Sequence, residues 1–134
     1  MVEITLNTRQ KAEMVDITVK VREAVRECGL RDGVCVIFVP HTTAGIVINE
    51  NADPDVKRDI LDHLARLVPS GGGYSHMEGN APAHIKSSIV GASCSVIVHG
   101  GELVLGTWQG IFFCEFDGPR RRKVYLQMVP SPGS

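Results

Sequence analysis

The sequence predicts an α+β domain, a mostly antiparallel or mixed β-sheet packed with about three helices. Three observations carry this. Strand and helix patterns run in the order β-α-β-β-α-α-β-β-β-β, segregated rather than alternating as a parallel α/β fold requires. From residue 93 onward the pattern is strand only, broken by short turns. The 134 residues hold no internal repeat and no linker, so residues 1–134 read as one domain with residues 130–134 as a frayed tail.

Each element has a local cause. Val2 to Thr8 alternates apolar and polar side chains, a strand pattern. Asp16-Ile17-Thr18 leads into a helix over 19–28, with Thr18 as its cap. Val21, Ala24, Val25 and Cys28 form the apolar stripe, and Gly29 stops the helix. "VCVIFVP", 34–40, is apolar on both faces, which suits a central strand or one covered by a partner subunit. "GIVIN", 45–49, is a second short strand. Asp53 before Pro54 is a cap followed by a first turn, and Val56, Ile60, Leu64 and Leu67 continue the helix to Val68.

"PSGGGYSHMEGN", 69–80, reads as a loop. Asn80 caps a short helix over 81–90, closed by Gly91. Strands then follow at 93–99, 102–106, 110–116 and 122–129. The last two are expected to pair as a hairpin through "DGPR", 117–120, which has turn chemistry.

Composition narrows the function classes. The apolar fraction is 43%, the charged fraction 22% and the net charge −1. That argues against a broad electrostatic footprint for nucleic acid or an anionic membrane, and leaves room for a local basic patch. No apolar run approaches the roughly 20 residues of a membrane helix, and no signal-peptide pattern opens the sequence, so a cytoplasmic location is expected. Cys28, Cys35, Cys94 and Cys114 are far apart, with no CxxC pair. Cys35, Cys94 and Cys114 lie in apolar runs and read as small hydrophobes ahead of disulfide or metal roles.

The chemistry-bearing residues fall in three stretches. In "LGTWQGIFFCEFDGPRRRK", 105–123, Glu115 and Asp117 share a strand face, and Arg120 and Arg122 share one on the return strand. Either this is a solvated tip of weak ion pairs, or arginines held by acids form an anion site. His41 ends the apolar strand, while His76 and His84 flank the loop-to-helix junction. Three histidines with Glu78 or Glu50 nearby would meet the needs of a zinc site, although their spacing matches no standard signature. His63 reads as a surface residue and His99 as a turn residue. "HTTAGIVINENADPDV", 41–56, adds the Thr42 and Thr43 hydroxyls. It also gathers Asn49, Glu50, Asn51 and Asp53 at a helix start, which is capping or a Mg²⁺ site with phosphate.

Taken together, "PHTTAGIVINENADPDV", "SHMEGNAPAHIKSSIVGAS" and "LGTWQGIFFCEFDGPRRRKV" resemble the YjbQ family across nearly the whole chain. The resemblance implies a compact α+β homotrimer. It also implies a weak, secondary thiamine-phosphate synthase activity, which joins a pyrimidine pyrophosphate to a thiazole phosphate and releases pyrophosphate. The family's histidines match His41, His76 and His84, its acids Glu50, Glu78, Glu115 and Asp117, and its arginine Arg120. Trp108 and Gln109 match its TWQ element.

The expectation is therefore a small trimeric enzyme with a metal- and phosphate-binding site. Glu50, Glu115, Asp117 and Arg120 are the candidate catalytic residues. Thr42, Thr43, Lys86, Trp108, Gln109 and Arg122 are the candidate substrate contacts, with Trp108 stacking on a heterocycle. His41, His76 and His84 would hold a divalent metal, Zn²⁺ first by ligand softness and Mg²⁺ if a phosphate substrate supplies oxygens. The expected partners are a small phosphorylated ligand and further copies of the chain, with neither nucleic acid nor membrane. The alternatives are a non-catalytic trimeric binding protein and a metal-dependent hydrolase.

Overall fold

The structure, a computed structural model, describes residues 1–76 and 79–133. In chain order the elements are β1 (Val2–Asn7), β2 (Glu13–Asp16), α1 (Thr18–Cys28), β3 (Gly33–Phe38), β4 (Ala44–Glu50) and α2 (Pro54–Leu67). α3 (Ala81–Val90), β5 (Ser93–His99), β6 (Glu102–Leu103), β7 (Gln109–Glu115) and β8 (Arg121–Pro130) complete the fold. The fold is α+β, as expected, and every strand pairing is antiparallel.

The strands form two sheets, one of five strands in the order β1-β8-β3-β5-β6 and one of three in the order β2-β7-β4. Their facing sides share one core. Ile4, Ile37, Val98 and Leu126 from the larger sheet meet Ile46, Ile111 and Phe113 from the smaller, with Val21 and Val25 of α1 packed in. A second apolar cluster covers the other side of the smaller sheet, where Met14, Phe112, Cys114 and Phe116 pack on Ala83 of α3 and on Ile60, Leu61 and Leu64 of α2. The layers are therefore large sheet, small sheet, then α2 and α3, while α1 packs into the core that the two sheets share.

That layering corrects the expected hairpin. β7 and β8 do not pair, because β7 lies between β2 and β4 while β8 lies between β1 and β3. The physical cause is burial. Gly110 to Glu115 is buried on both faces, so β7 needs a strand on each side and a layer on each face. The segment 116–120 crosses from one sheet to the other instead of turning back.

Other departures have local causes. β2 is too short, at four residues, to show a period in the sequence. Thr18 is not the cap of α1. Asp16 Oδ1 accepts from the Thr18 N–H at 2.9 Å and from its hydroxyl at 2.5 Å. Thr18 Oγ1 in turn accepts the Ile111 N–H at 2.8 Å and ties the helix to β7. Gly29 ends α1 in the left-handed region at φ 75°, as expected. Asp53 caps α2 by accepting from the Asp55 N–H at 2.9 Å, also as expected. Leu67, however, is 60% exposed, and Leu61 takes its place beside Ile60 and Leu64. β6 is shorter than the strand expected over 102–106, and β8 runs on to Pro130, opposite Gly33.

Cys35 and Cys114 are buried and Cys94 half-buried, and burial pushes the three thiols up to about 11, 12 and 11 respectively. They act as small core residues. Among the described residues no helix is long and apolar enough to cross a membrane.

Candidate functional site

A cavity of about 690 Å³ opens where the 116–120 crossover passes the end of β3. The chain just after β3 supplies His41, Thr42 and Thr43. The crossover and β8 supply Asp117, Arg120 and Arg122, and the loop and start of α3 supply His76, Asn80 and His84.

The floor rests on a buried ion pair. Glu115 is fully buried, and Arg122 donates to it from Nε at 2.8 Å and from Nη2. Glu115 also accepts from the Thr8 hydroxyl at 2.6 Å and from the Phe116 and Asp117 N–H groups, each at 3.1 Å. Burial alone would raise its carboxyl, but the Arg122, Thr8 and backbone donors outweigh burial and hold it below the usual carboxylate range. Five donors fill the roughly four lone-pair sites of a carboxylate, so no oxygen is left to accept a substrate proton. Arg122 Nη2 also donates to Thr43 Oγ1 at 2.8 Å, which commits Thr43 to the frame as well. Thr42 lines the cavity and is exposed.

Asp117 organises the cavity rim. Its Oδ1 accepts from Lys11 Nζ at 2.6 Å, and its Oδ2 from Asn80 Nδ2 and Arg120 Nη2, both at 3.0 Å. Burial opposes ionisation, yet these donors draw the carboxyl down to about 2. The Asp117 carbonyl also accepts from Arg120 Nε at 2.7 Å. The guanidinium is thus gripped on one edge, while 54% of the side chain stays exposed. Asn80 does not cap α3 as expected, because its amide turns to Asp117. Its Oδ1 is buried and has no partner among the described residues.

The three histidines line this one cavity but are engaged differently. The His76 and His84 rings meet edge to face with centroids 5.0 Å apart. His41 Nε2 accepts the Lys123 N–H at 2.9 Å. Burial and the charge of Arg122 hold the His41 ring below its usual pKa. Among the described residues no group of three or more His, Cys, Asp or Glu is disposed to hold a metal ion. His76 and His84 are the two of the three that lie ring to ring. His41 does not fit a cation site, because the lone pair it would offer is already accepting. Glu78 lies outside the described residues.

Several expected residues are elsewhere. Glu50 pairs with Gln109 at the opposite end of the β4–β7 ladder from Ala44 and Glu115, roughly 20 Å away at about 3.4 Å per residue. Glu50 borders a separate 100 Å³ pocket with Asp16 and Asp53. Trp108 is 62% exposed at that end, and Gln109 Oε1 accepts the Gly106 N–H at 2.8 Å, fastening the turn before β7. Lys86 is outside the cavity lining, with its ammonium 6.0 Å from the Phe116 ring centroid. Burial and the nearby charge of Lys11 lower its pKa. Thr8, Lys11 and Asn80 were missed. Asn80 lies inside a recognised motif, whereas nothing in the sequence singles out Thr8 or Lys11.

This geometry defines a class: a two-sheet α+β domain with a polar, arginine- and histidine-lined cavity at the crossover between its sheets. A family model described as "UPF0047 protein YjbQ-like" matches residues 2–131, and the chain belongs to that family. UPF0047 protein MJ1081 of Methanocaldococcus jannaschii is 54% identical over 124 residues, covering 92% of this chain and 90% of that protein. UPF0047 protein YugU of Bacillus subtilis is 54% identical over 127 residues, covering 94% and 96%. The crystal structure of an uncharacterized conserved protein of the same family from Clostridium acetobutylicum matches with a TM-score of 0.95 at 54% identity, over 96% of this chain and 100% of that one.

Proposed function

We propose that the cavity binds a small phosphorylated ligand and that the protein is a cytoplasmic enzyme acting on it. Joining a pyrimidine pyrophosphate to a thiazole phosphate, with release of pyrophosphate, is the first reaction to assay. The observation that carries this reading is the grip of Asp117 on Arg120. It fixes one edge of the guanidinium and leaves the rest of the fork available to a phosphate. Among the described residues the ion pairs here set Lys11, Arg120 and Arg122 against Glu115 and Asp117, an excess of positive charge that suits an anion.

A divalent cation, Zn²⁺ or Mg²⁺, would be held by His76 and His84 together with ligand oxygens, and would neutralise charge on a departing pyrophosphate. An apolar recess of about 350 Å³ behind these two rings, formed by Tyr74, Ala81 and Ile85, has room for a ring of the ligand. Self-association is part of the same reading. Among the described residues no helix packs on the outer face of the five-stranded sheet, where Ile97, Val34 and Val129 form a row across three strands. A homotrimer would bury that row.

A second reading, a non-catalytic binding protein, is favoured by one observation: the Glu115 and Asp117 carboxylates are both engaged in ion pairs. Calorimetry with inorganic pyrophosphate, run beside a coupling assay on the two phosphorylated heterocycles and a phosphate-release assay, separates the readings. Binding with turnover supports the transferase, phosphate release alone a hydrolase, and binding without turnover the binding protein. Absence of pyrophosphate binding would sink the proposed site.

A further inference from the structure

The fold dictates where the proton of His41 resides. β3 ends at Phe38, opposite Tyr125 of β8, so the ladder stops short of Lys123. The His41 ring takes the place of the missing strand, and its Nε2 accepts the Lys123 N–H at 2.9 Å. A backbone N–H can only donate, so Nε2 must carry a lone pair. In a neutral imidazole the hydrogen is then on Nδ1. A second positive charge is disfavoured there by burial and by Arg122 next to it. Among the described residues the one hydrogen bond of the ring is at Nε2, no group accepts from Nδ1, and the ring lines the cavity.

We infer that His41 is an uncharged hydrogen-bond donor, presenting Nδ1–H to an oxygen of the bound ligand, and is neither a metal ligand nor a proton carrier. The ligand's identity rests on the phosphate reading above, but the tautomer does not. A neutral imidazole holds its N–H proton far too tightly to release it near neutral pH. It can polarise an oxygen, as neutral histidine does in triosephosphate isomerase. A metal centre that used this ring would first have to break the Lys123 hydrogen bond and free Nε2.

The test uses the full chain labelled with ¹⁵N-histidine. Long-range ¹H–¹⁵N spectra at neutral pH, with His41 assigned by its loss in His41→Gln, should show a protonated Nδ1 and an unprotonated Nε2. Adding Zn²⁺ should leave both His41 nitrogens in place. An Nε2–H tautomer, an imidazolium, or a Zn²⁺-induced shift of Nε2 overturns the inference. The donor role is read with inorganic pyrophosphate. In His41→Gln the amide oxygen can still accept from Lys123, but the Nδ1 donor is lost, so affinity should fall about tenfold or more, as for a hydrogen bond to a charged group. In His41→Asn the amide nitrogen occupies the Nδ1 position, so affinity should recover part of that loss. Equal affinities in wild type and His41→Gln overturn the donor role. Failure of the wild type to bind pyrophosphate overturns the phosphate reading and the donor role with it, whatever tautomer the spectra report.

Discussion

Arg122 of β8 and Glu115 of β7 form a buried ion pair that bolts the large sheet to the small one. Removing one partner of such a pair strands the other charge, at a cost of about 3–5 kcal/mol. Glu115→Gln should therefore lower the unfolding free energy by roughly that much in urea denaturation. A loss below about 1 kcal/mol, the scale of a surface pair, would show that the bridge is not the tie described.

Asp117 gives a pH signature. Its carboxyl is about 2 in the fold, against roughly 3.9 in an unfolded chain. The depressed value stabilises the fold above pH ~4, and this contribution is lost as pH falls from there through about 2. The stability gap between wild type and Asp117→Asn should therefore narrow over that window and stay constant above about pH 5. A gap independent of pH between about 5 and 2 would contradict the assigned hydrogen bonds.

Arg120→Lys keeps the charge but loses the fork. With more than half of the side chain exposed, stability should change by no more than about 1 kcal/mol. Pyrophosphate affinity should drop about tenfold or more in calorimetry. Unfolding with unchanged affinity would make Arg120 structural.

Gly118 is where the crossover passes closest to its surroundings. A Cβ there would lie 2.2 Å from the Gln10 carbonyl oxygen and 2.8 Å from Glu115 Cγ. Backbone cannot move aside cheaply, so Gly118→Ala should cost about 1–3 kcal/mol, the usual range for overpacking. Thermal unfolding at the wild-type midpoint would argue that the crossover is loose.

The proposed homotrimer sets the mass expected in solution. Light scattering should return three times the 14.5 kDa chain. Ile97, at 61% exposure in the single chain, can be replaced by Lys with little cost to the subunit itself. Ile97→Lys should shift the mass to monomer while circular dichroism stays native. A wild-type monomer at micromolar concentration would rule the trimer out.

Helix limits were legible because their signals are local. The Asp53-Pro54 start of α2 and the Gly29 and Gly91 stops of α1 and α3 need only neighbours in the chain. The site was legible only in part. Arg120 and Asp117 are three residues apart, and their contact could be read from the turn. Glu50 and Trp108 belong to the same recognisable motifs but lie a strand's length from the cavity, a separation that periodicity cannot express.

Thus the sequence by itself determined the α+β class, the helix boundaries, the buried thiols and part of the polar set near the crossover, the three histidines with Asp117, Arg120 and Arg122. Only the tertiary structure decided which strands pair, and with that which residues share a site. Strand order is a choice among distant partners, set by which faces must be covered. β7, buried on both faces, took β2 and β4 instead of β8. That choice sent the chain across the gap between sheets, turned Glu115 from a candidate catalyst into the buried partner of Arg122, and left Lys123 to take its hydrogen-bond acceptor from His41.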